Sequence, residues 1–249
     1  GGTATVMILG ELCTRGCKFC AVKAGKPNGS VDADEPRKVA TAIASWGLRY
    51  VVITSVDRDD LTDQGSKHFA ETISRLRALA PQLYIEVLTP DFRGDRNCIQ
   101  TVLDAAPHVF AHNIETVERL QSTARDARCG YQQSLGVLRA AKEIRAGIHT
   151  KSSVMLGLGE TDAEVEQALV DLRAAGVDFV TLGQYLRPSP WHLEVQEYVT
   201  PEKFNYWKAR GAELGFLVTS SGPLVRSSYR AGEYQIESIL QKKTAETEL

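Results

Sequence analysis

No apolar run in these 249 residues approaches the roughly 18 needed to span a membrane, and no charged start with a short apolar stretch marks a secretory leader. Membrane-spanning and secreted classes drop out, and a cytoplasmic protein, or one in an equivalent reducing compartment, is expected. An excess of one charge is missing too. Lys and Arg number 29 against 31 Asp and Glu, a net charge of −2, and they are dispersed, so no basic face argues for nucleic acid. The chain also lacks internal repeats, low-complexity tracts and a G-x-G-x-x-G after its first apolar run, which excludes solenoids and argues against a dinucleotide fold. Cysteine is scarce and odd in number. Five thiols, three of them crowded between Cys13 and Cys20, are wrong for a disulfide framework and suit reduced sulfur bound to metal.

What is present is a chain 43% hydrophobic and long enough for one sizeable core. Short runs rich in Val and Ile at 5–9, 50–54, 84–88, 109–113, 150–155 and 179–182 alternate with segments of helical period, which reads as repeated βα units and a parallel sheet. Helix ends are marked by Glu35-Pro36 and Gly47, by Gly147 after a segment at 132–146, and by the capping box Thr161-Asp-Ala-Glu164. Six such units suit either a doubly wound sheet or part of a barrel, and periodicity does not choose between them. Beyond 182 the rhythm breaks at Arg187-Pro188-Ser189-Pro190. A helix at 201–214 and a frayed polar tail at 241–249 are expected there.

The informative feature is Glu11-Leu-Cys-Thr-Arg-Gly-Cys-Lys-Phe-Cys20, three thiolates on one loop with no fourth Cys or His nearby. Structural zinc wants four protein ligands. A [4Fe–4S] cube held by three thiolates keeps one iron open for a small chelating molecule. A half-formed zinc knuckle or three unrelated buried cysteines are the alternatives. In parallel α/β architectures ligands sit at the carboxyl ends of strands, and those ends are polar here. Thr54, Ser55 and Asp57 follow the second run, Asn113 and Glu115 the fourth, and Gln184 the sixth, while Lys151 starts the fifth. Asn113 and Glu115 suit ribose hydroxyls, Thr54 and Ser55 the ammonium and carboxylate of an amino acid, and Lys151 an anionic group. Gly157 and Gly159 would let backbone approach a flat base. Cys98 and Cys129 stand apart and read as small buried hydrophobes or incidental thiols, and His68, His112 and His192 as packed or exposed side chains rather than ligands.

The cysteine spacing, with aromatic Phe19 before the last cysteine, resembles the cluster loop of the radical S-adenosylmethionine (SAM) superfamily. Longer stretches are similar to the lipoyl synthase family: Val51-Val-Ile-Thr-Ser-Val-Asp-Arg-Asp-Asp-Leu61, Glu86-Val-Leu-Thr-Pro-Asp-Phe-Arg-Gly94, His112-Asn-Ile-Glu-Thr-Val117, Met155-Leu-Gly-Leu-Gly-Glu160, Gly183-Gln-Tyr-Leu-Arg-Pro188 and Gly222-Pro-Leu-Val-Arg-Ser-Ser-Tyr229. The resemblance covers nearly the whole chain. It implies an α/β fold, a partial (β/α)6 barrel at about 1–186 within one domain, followed by a C-terminal extension at about 187–249. It implies SAM and a [4Fe–4S] cluster at Cys13, Cys17 and Cys20, giving a 5′-deoxyadenosyl radical that abstracts hydrogen. A second, auxiliary [4Fe–4S] cluster would supply two sulfur atoms for C6 and C8 of a protein-bound octanoyl chain. Implied partners are octanoylated lipoyl carrier proteins, such as the glycine cleavage H protein or lipoyl domains of 2-oxoacid dehydrogenases, and a one-electron donor such as ferredoxin or flavodoxin.

A serine of Arg226-Ser-Ser-Tyr229 binds the auxiliary cluster in that family. Neighbours in an extended segment face opposite ways, so one of the two serines is expected to reach it, Ser228 ahead of Ser227. The three cysteines of that cluster are expected upstream of Gly1, in a segment missing from this sequence. Two other readings stand beside this one. They are a different radical SAM sulfur-inserting or methylthio-transferring enzyme of biotin-synthase type, and a non-enzymatic iron–sulfur or zinc module.

Overall fold

Seven strands, all parallel and paired in chain order, make up one sheet in the computed structural model, which describes residues 2–228, 236 and 238–240. They are β1 (Thr3–Ile8), β2 (Tyr50–Ser55), β3 (Tyr84–Leu88), β4 (Val109–Ala111), β5 (His149–Leu156), β6 (Phe179–Gln184) and β7 (Val218–Gly222). Among the described residues the six longer helices that join them are α1 (Glu35–Ser45), α2 (Ser66–Leu79), α3 (Arg96–Asp104), α4 (Tyr131–Ile144), α5 (Asp162–Ala174) and α6 (Pro201–Glu213). All six expected runs are strands. The seventh, Val218-Thr-Ser-Ser-Gly222, was not expected, and it extends the six-unit barrel by one strand along β6, from Phe179↔Val218 to Gly183↔Gly222. Strands β1 and β7 are the two ends of the ladder order, so the barrel is partial.

Side-chain alternation sorts each strand into an outer and an inner face. On β2, Val51 and Ile53 pack outward with Ile43 of α1 and Phe69 and Ile73 of α2. Tyr50 and Val52 point the other way and meet Val109, Phe179 and Val218 from β4, β6 and β7. Residues of four separate strands can share one cluster only if the sheet curls around it. The second half of the outer layer joins Val154 and Leu156 of β5 to Leu135 and Leu138 of α4 and Leu169 and Leu172 of α5. The Thr161 and Glu164 capping box forms as the sequence suggests, with side chain and backbone satisfied reciprocally.

The inner face also holds a buried polar triad toward the amino ends of the strands. Lys151 Nζ donates to Glu86 Oε1 and Oε2 at 2.9 and 3.0 Å, and Tyr50 Oη donates to Glu86 Oε2 at 2.6 Å. Both ionic side chains are almost wholly buried, at 7% and 1% exposure. Lys151 thus points inward to an anionic group, as expected, and that group is the buried carboxylate of Glu86.

Candidate active site at the carboxyl ends of the strands

The cysteine loop leaves β1 and folds back across the mouth of the barrel. Residues Leu12–Cys13 pair with Lys23–Ala24 in a two-residue ribbon, and Gly25 N donates to Cys13 O at 2.8 Å, which closes the loop on itself. Its far side is tied down by Lys18 N donating to Ala124 O at 2.8 Å. Between the first two cysteines, Arg15 enters the protein with 1% of its side chain exposed. Its Nε and Nη2 donate to Asp59 at 3.0 and 2.9 Å, and its Nη1 and Nη2 to Asp91 at 2.6 and 2.8 Å. Asp57 lies 3.4 Å from Nε. One guanidinium thereby fastens the loop to the ends of β2 and β3, in the planar two-point geometry that suits carboxylates.

Electrostatics at this knot follow from position. Burial would raise Asp91, but the bonds from Arg15 outweigh it and hold the carboxyl at about 2. Asp57 lacks such direct bonds, and burial pushes it up to about 6. Burial also raises the Cys13 thiol, to about 11, and the Cys20 thiol. Cys17 is raised first by its hydrogen bond to Cys129 and then by burial. Backbone amides are aimed at these sulfurs: Asp57 N and Arg15 N reach Cys13 Sγ at 3.3 and 3.4 Å, and Asp126 N reaches Cys17 Sγ at 3.4 Å.

A cavity of about 320 Å³ opens beneath the loop, lined by all three cysteines together with Phe19, Thr54, Ser55, Asp57, Asn113 and Glu115. A second, of about 230 Å³, shares Phe19, Asn113, Glu115 and Ser227 with the first and adds Ser153, Met155 and Gln184. Ser55 Oγ and Asn113 Oδ1 are buried without a hydrogen-bond partner, whereas Thr54 Oγ1 donates to Leu88 O at 3.1 Å and Asn113 Nδ2 to Glu115 Oε1 at 3.1 Å. Unpartnered buried acceptors and hydroxyls are costly, so these two mark where a polar ligand would be satisfied. No three His, Cys, Asp or Glu side chains among the described residues converge on one ion. Three thiols that share a cavity without converging suit a group wider than a single metal ion, and thiolate donors suit an iron–sulfur cube.

Several sequence expectations land differently. Ser227 lines both cavities and Ser228 neither. Tyr229 lies outside the described residues, as does the tail at 241–249. Gln184 borders the second cavity, but its amide is spent on the strap at 187–199. Nε2 donates to Glu197 O at 3.0 Å, and Oε1 accepts from Val199 N at 2.9 Å. Gly157, with φ of +99°, faces that same strap: a Cβ there would come within 2.4 Å of Glu197 O, so its freedom serves packing rather than a base. Cys98 is a buried hydrophobe at 4% exposure, as expected. Cys129 is not, because it lines the first cavity beside Cys17 and accepts from Arg15 Nη1 at 3.3 Å. Arg15, Asp59, Asp91 and Arg125, the last also lining the first cavity, escaped the sequence reading, although the acidic run after β2 was visible.

A parallel partial barrel with three cysteines on the loop after β1 is the frame of a SAM-dependent radical enzyme. The family model of the radical SAM superfamily matches residues 7–172, and the chain belongs to that superfamily. Among curated proteins it is similar to "Lipoyl synthase, mitochondrial" of Culex quinquefasciatus, 58% identical over 98% of this chain and 64% of the relative's length. It is likewise similar to "Lipoyl synthase 1, mitochondrial" of Drosophila yakuba, 58% identical over 97% of this chain and 64% of that protein. The chain therefore spans a little under two thirds of these relatives. Solved structures share the fold at low identity. The FeFe-hydrogenase maturase HydG from Carboxydothermus hydrogenoformans has a TM-score of 0.63 at 14% identity, over 97% of this chain and 66% of that one. Coproporphyrinogen III oxidase from Escherichia coli has a TM-score of 0.61 at 12% identity, over 86% of this chain and 52% of that one. The mitochondrial names of the relatives overturn the cytoplasmic expectation. Cysteine usage could not separate the two, because reduced thiols fit either compartment.

Proposed function

We propose that the chain is the barrel portion of a mitochondrial lipoyl synthase, inserting two sulfur atoms at C6 and C8 of an octanoyl chain carried on a protein lysine. In this reading Cys13, Cys17 and Cys20 hold a [4Fe–4S] cluster that binds SAM, and Ser227 serves a second, auxiliary cluster whose other ligands lie outside this chain. When bound, the SAM-binding cluster supplies the electron that makes SAM a hydrogen-abstracting reagent. The observation that carries the reading is the shared cavity. Three thiols, two unpartnered polar atoms and Ser227 face one space, in a chain 58% identical to proteins named lipoyl synthase.

The chain's own residues do the rest. Arg15 fixes the loop so that the three sulfurs keep one spacing, and the amides of Arg15, Asp57 and Asp126 stabilise negative sulfur. Buried thiols favour the protonated form, so binding to a cationic core is coupled to release of their protons. Ser55 Oγ and Asn113 Oδ1 are placed to satisfy the amino-acid and ribose groups of SAM, with Glu115 held beside Asn113. Phe19, on both cavities, screens that site from water. Octanoylated carrier proteins and a one-electron donor complete the reaction. The test is anaerobic turnover of the reconstituted full-length protein with SAM, a reductant and an octanoylated carrier domain, read by mass spectrometry. A lipoylated product supports the reading. A SAM-cleaving enzyme that leaves the octanoyl chain unsulfurated, even with its auxiliary cluster loaded, contradicts it and favours another radical SAM chemistry.

A further inference from the structure

Trp191 is 95% exposed, yet it stands on a segment that is held firmly in place. His192 Nε2 bonds Cys20 O at 3.0 Å and its Nδ1 bonds Ser189 Oγ at 2.8 Å. Leu193 N donates to Lys18 O at 3.1 Å, and Tyr185 Oη donates to Leu193 O at 2.8 Å. Arg187 Nε donates to His192 O at 2.9 Å. The strap at 187–199 is thus pinned to the cysteine loop on either side of Trp191's neighbours. A large apolar ring kept in water on an already ordered loop contributes nothing to this fold, but its burial by a partner would cost little further entropy.

Trp191 lines neither cavity, so what it meets lies outside the barrel mouth rather than within it. Leu186, at 48% exposure, lines the second cavity, and Leu224, at 71%, stands one residue before Val225, which lines it too. The charges on the cysteine loop and just after β7 are mostly positive. Lys18, Lys23 and Lys26 of the cysteine loop are exposed and have no ion-pair partner among the described residues, and Arg226 contacts only carbonyls. Against them stand exposed Glu11, Glu194, the latter already 3.4 Å from Arg187, and Glu197, 3.9 Å from Lys203.

We infer that this rim, with Trp191 as its apolar anchor and Lys18, Lys23, Lys26 and Arg226 around it, is the docking surface for an acidic carrier domain that presents its acylated lysine to the cavity. This rests on the reading of the chain as a carrier-dependent sulfur-inserting enzyme. Complementary charge speeds encounter and sets orientation, while the buried tryptophan supplies residence time. The acyl chain itself meets other residues, those inside the mouth.

The separating experiment uses the reconstituted full-length enzyme with two substrates, an octanoylated carrier domain and a short octanoyl-lysine peptide. Trp191→Ala raises KM for the carrier domain about tenfold at unchanged kcat, and leaves kcat/KM for the peptide within about twofold. Lys23→Glu with Lys26→Glu raises the carrier KM and flattens its dependence on salt, again sparing the peptide. Equal losses on both substrates, or none on the carrier, overturn the docking surface while leaving the function intact. Failure of the unaltered enzyme to insert sulfur into either substrate overturns the function, and the docking surface with it.

Discussion

Arg15 carries more of the site than any residue picked out by its chemistry alone. Its partners Asp59 and Asp91 are 44 and 76 positions away, so nothing local in Cys13-Thr-Arg-Gly-Cys17 reveals that the arginine is buried. The cysteines were legible because the three lie close in sequence on one loop, whereas a buried ion pair needs closeness only in space. Arg15→Ala leaves Asp59 and Asp91 without their main counter-charge, and breaking a buried pair in this way costs about 3–5 kcal/mol. Denaturant unfolding of the cluster-free chain measures this, and a loss below about 1 kcal/mol would contradict the latch. Ser227 and Ser228 show the other limit of sequence. Alternation predicts that one of the two faces the site, but not which, and the cavity linings favour Ser227. Ser227→Ala should therefore lower iron retained at the proposed auxiliary cluster of the full-length protein while Ser228→Ala leaves it near normal, as counted by iron per chain. The reverse pattern would restore the expectation from the motif.

At the scale of elements, the six strands that the sequence revealed are those with runs such as Tyr50-Val-Val-Ile53, buried on both faces as parallel strands are. Strand β7 was missed because Val218-Thr-Ser-Ser-Gly222 is polar, and its place in the ladder comes from pairing with β6 rather than from apolar content. Helix α3, Arg96–Asp104, was missed for a related reason: its buried face of Cys98, Ile99, Val102 and Leu103 is set among polar residues in a short span. The close approach at Gly183 shows how tightly the last segment is seated. A Cβ there would lie 2.1 Å from Val225 O, a backbone atom that cannot swing aside. Gly183→Ala is expected to cost about 1–3 kcal/mol through overpacking and to move the residues that carry Ser227. A thermal unfolding temperature unchanged by this substitution would show that 223–228 is seated less closely than described.

Over the whole molecule, the stability of the barrel is tied to acid through two imidazoles. Burial lowers both His108 and His112 from 6.5 to about 4, and His108 Nδ1 accepts from Ile85 N at 3.0 Å, which needs the neutral ring. Unfolded histidine takes up its proton near pH 6.5, so between 6.5 and about 4 the unfolded chain binds more protons. The two rings thus contribute stability that is whole above that window and is lost as the pH drops through it, by up to about 3 kcal/mol for each ring, while Asp57, raised to about 6, acts in the opposite direction below that value. Unfolding midpoints measured from pH 7 to pH 4 check this, and His108→Gln should remove part of the slope. A slope unaffected by that change would contradict the assignment.

The central claim is that the loop from Cys13 to Cys20 holds a SAM-binding [4Fe–4S] cluster. Its most direct test is iron and acid-labile sulfide per chain after anaerobic reconstitution, together with 5′-deoxyadenosine released from SAM on reduction, compared between this chain and its Cys17→Ala variant. The account predicts about four irons and four sulfides per chain, and nucleoside release that the variant abolishes. Zinc in place of iron and sulfide, or equal release by the variant, would contradict it.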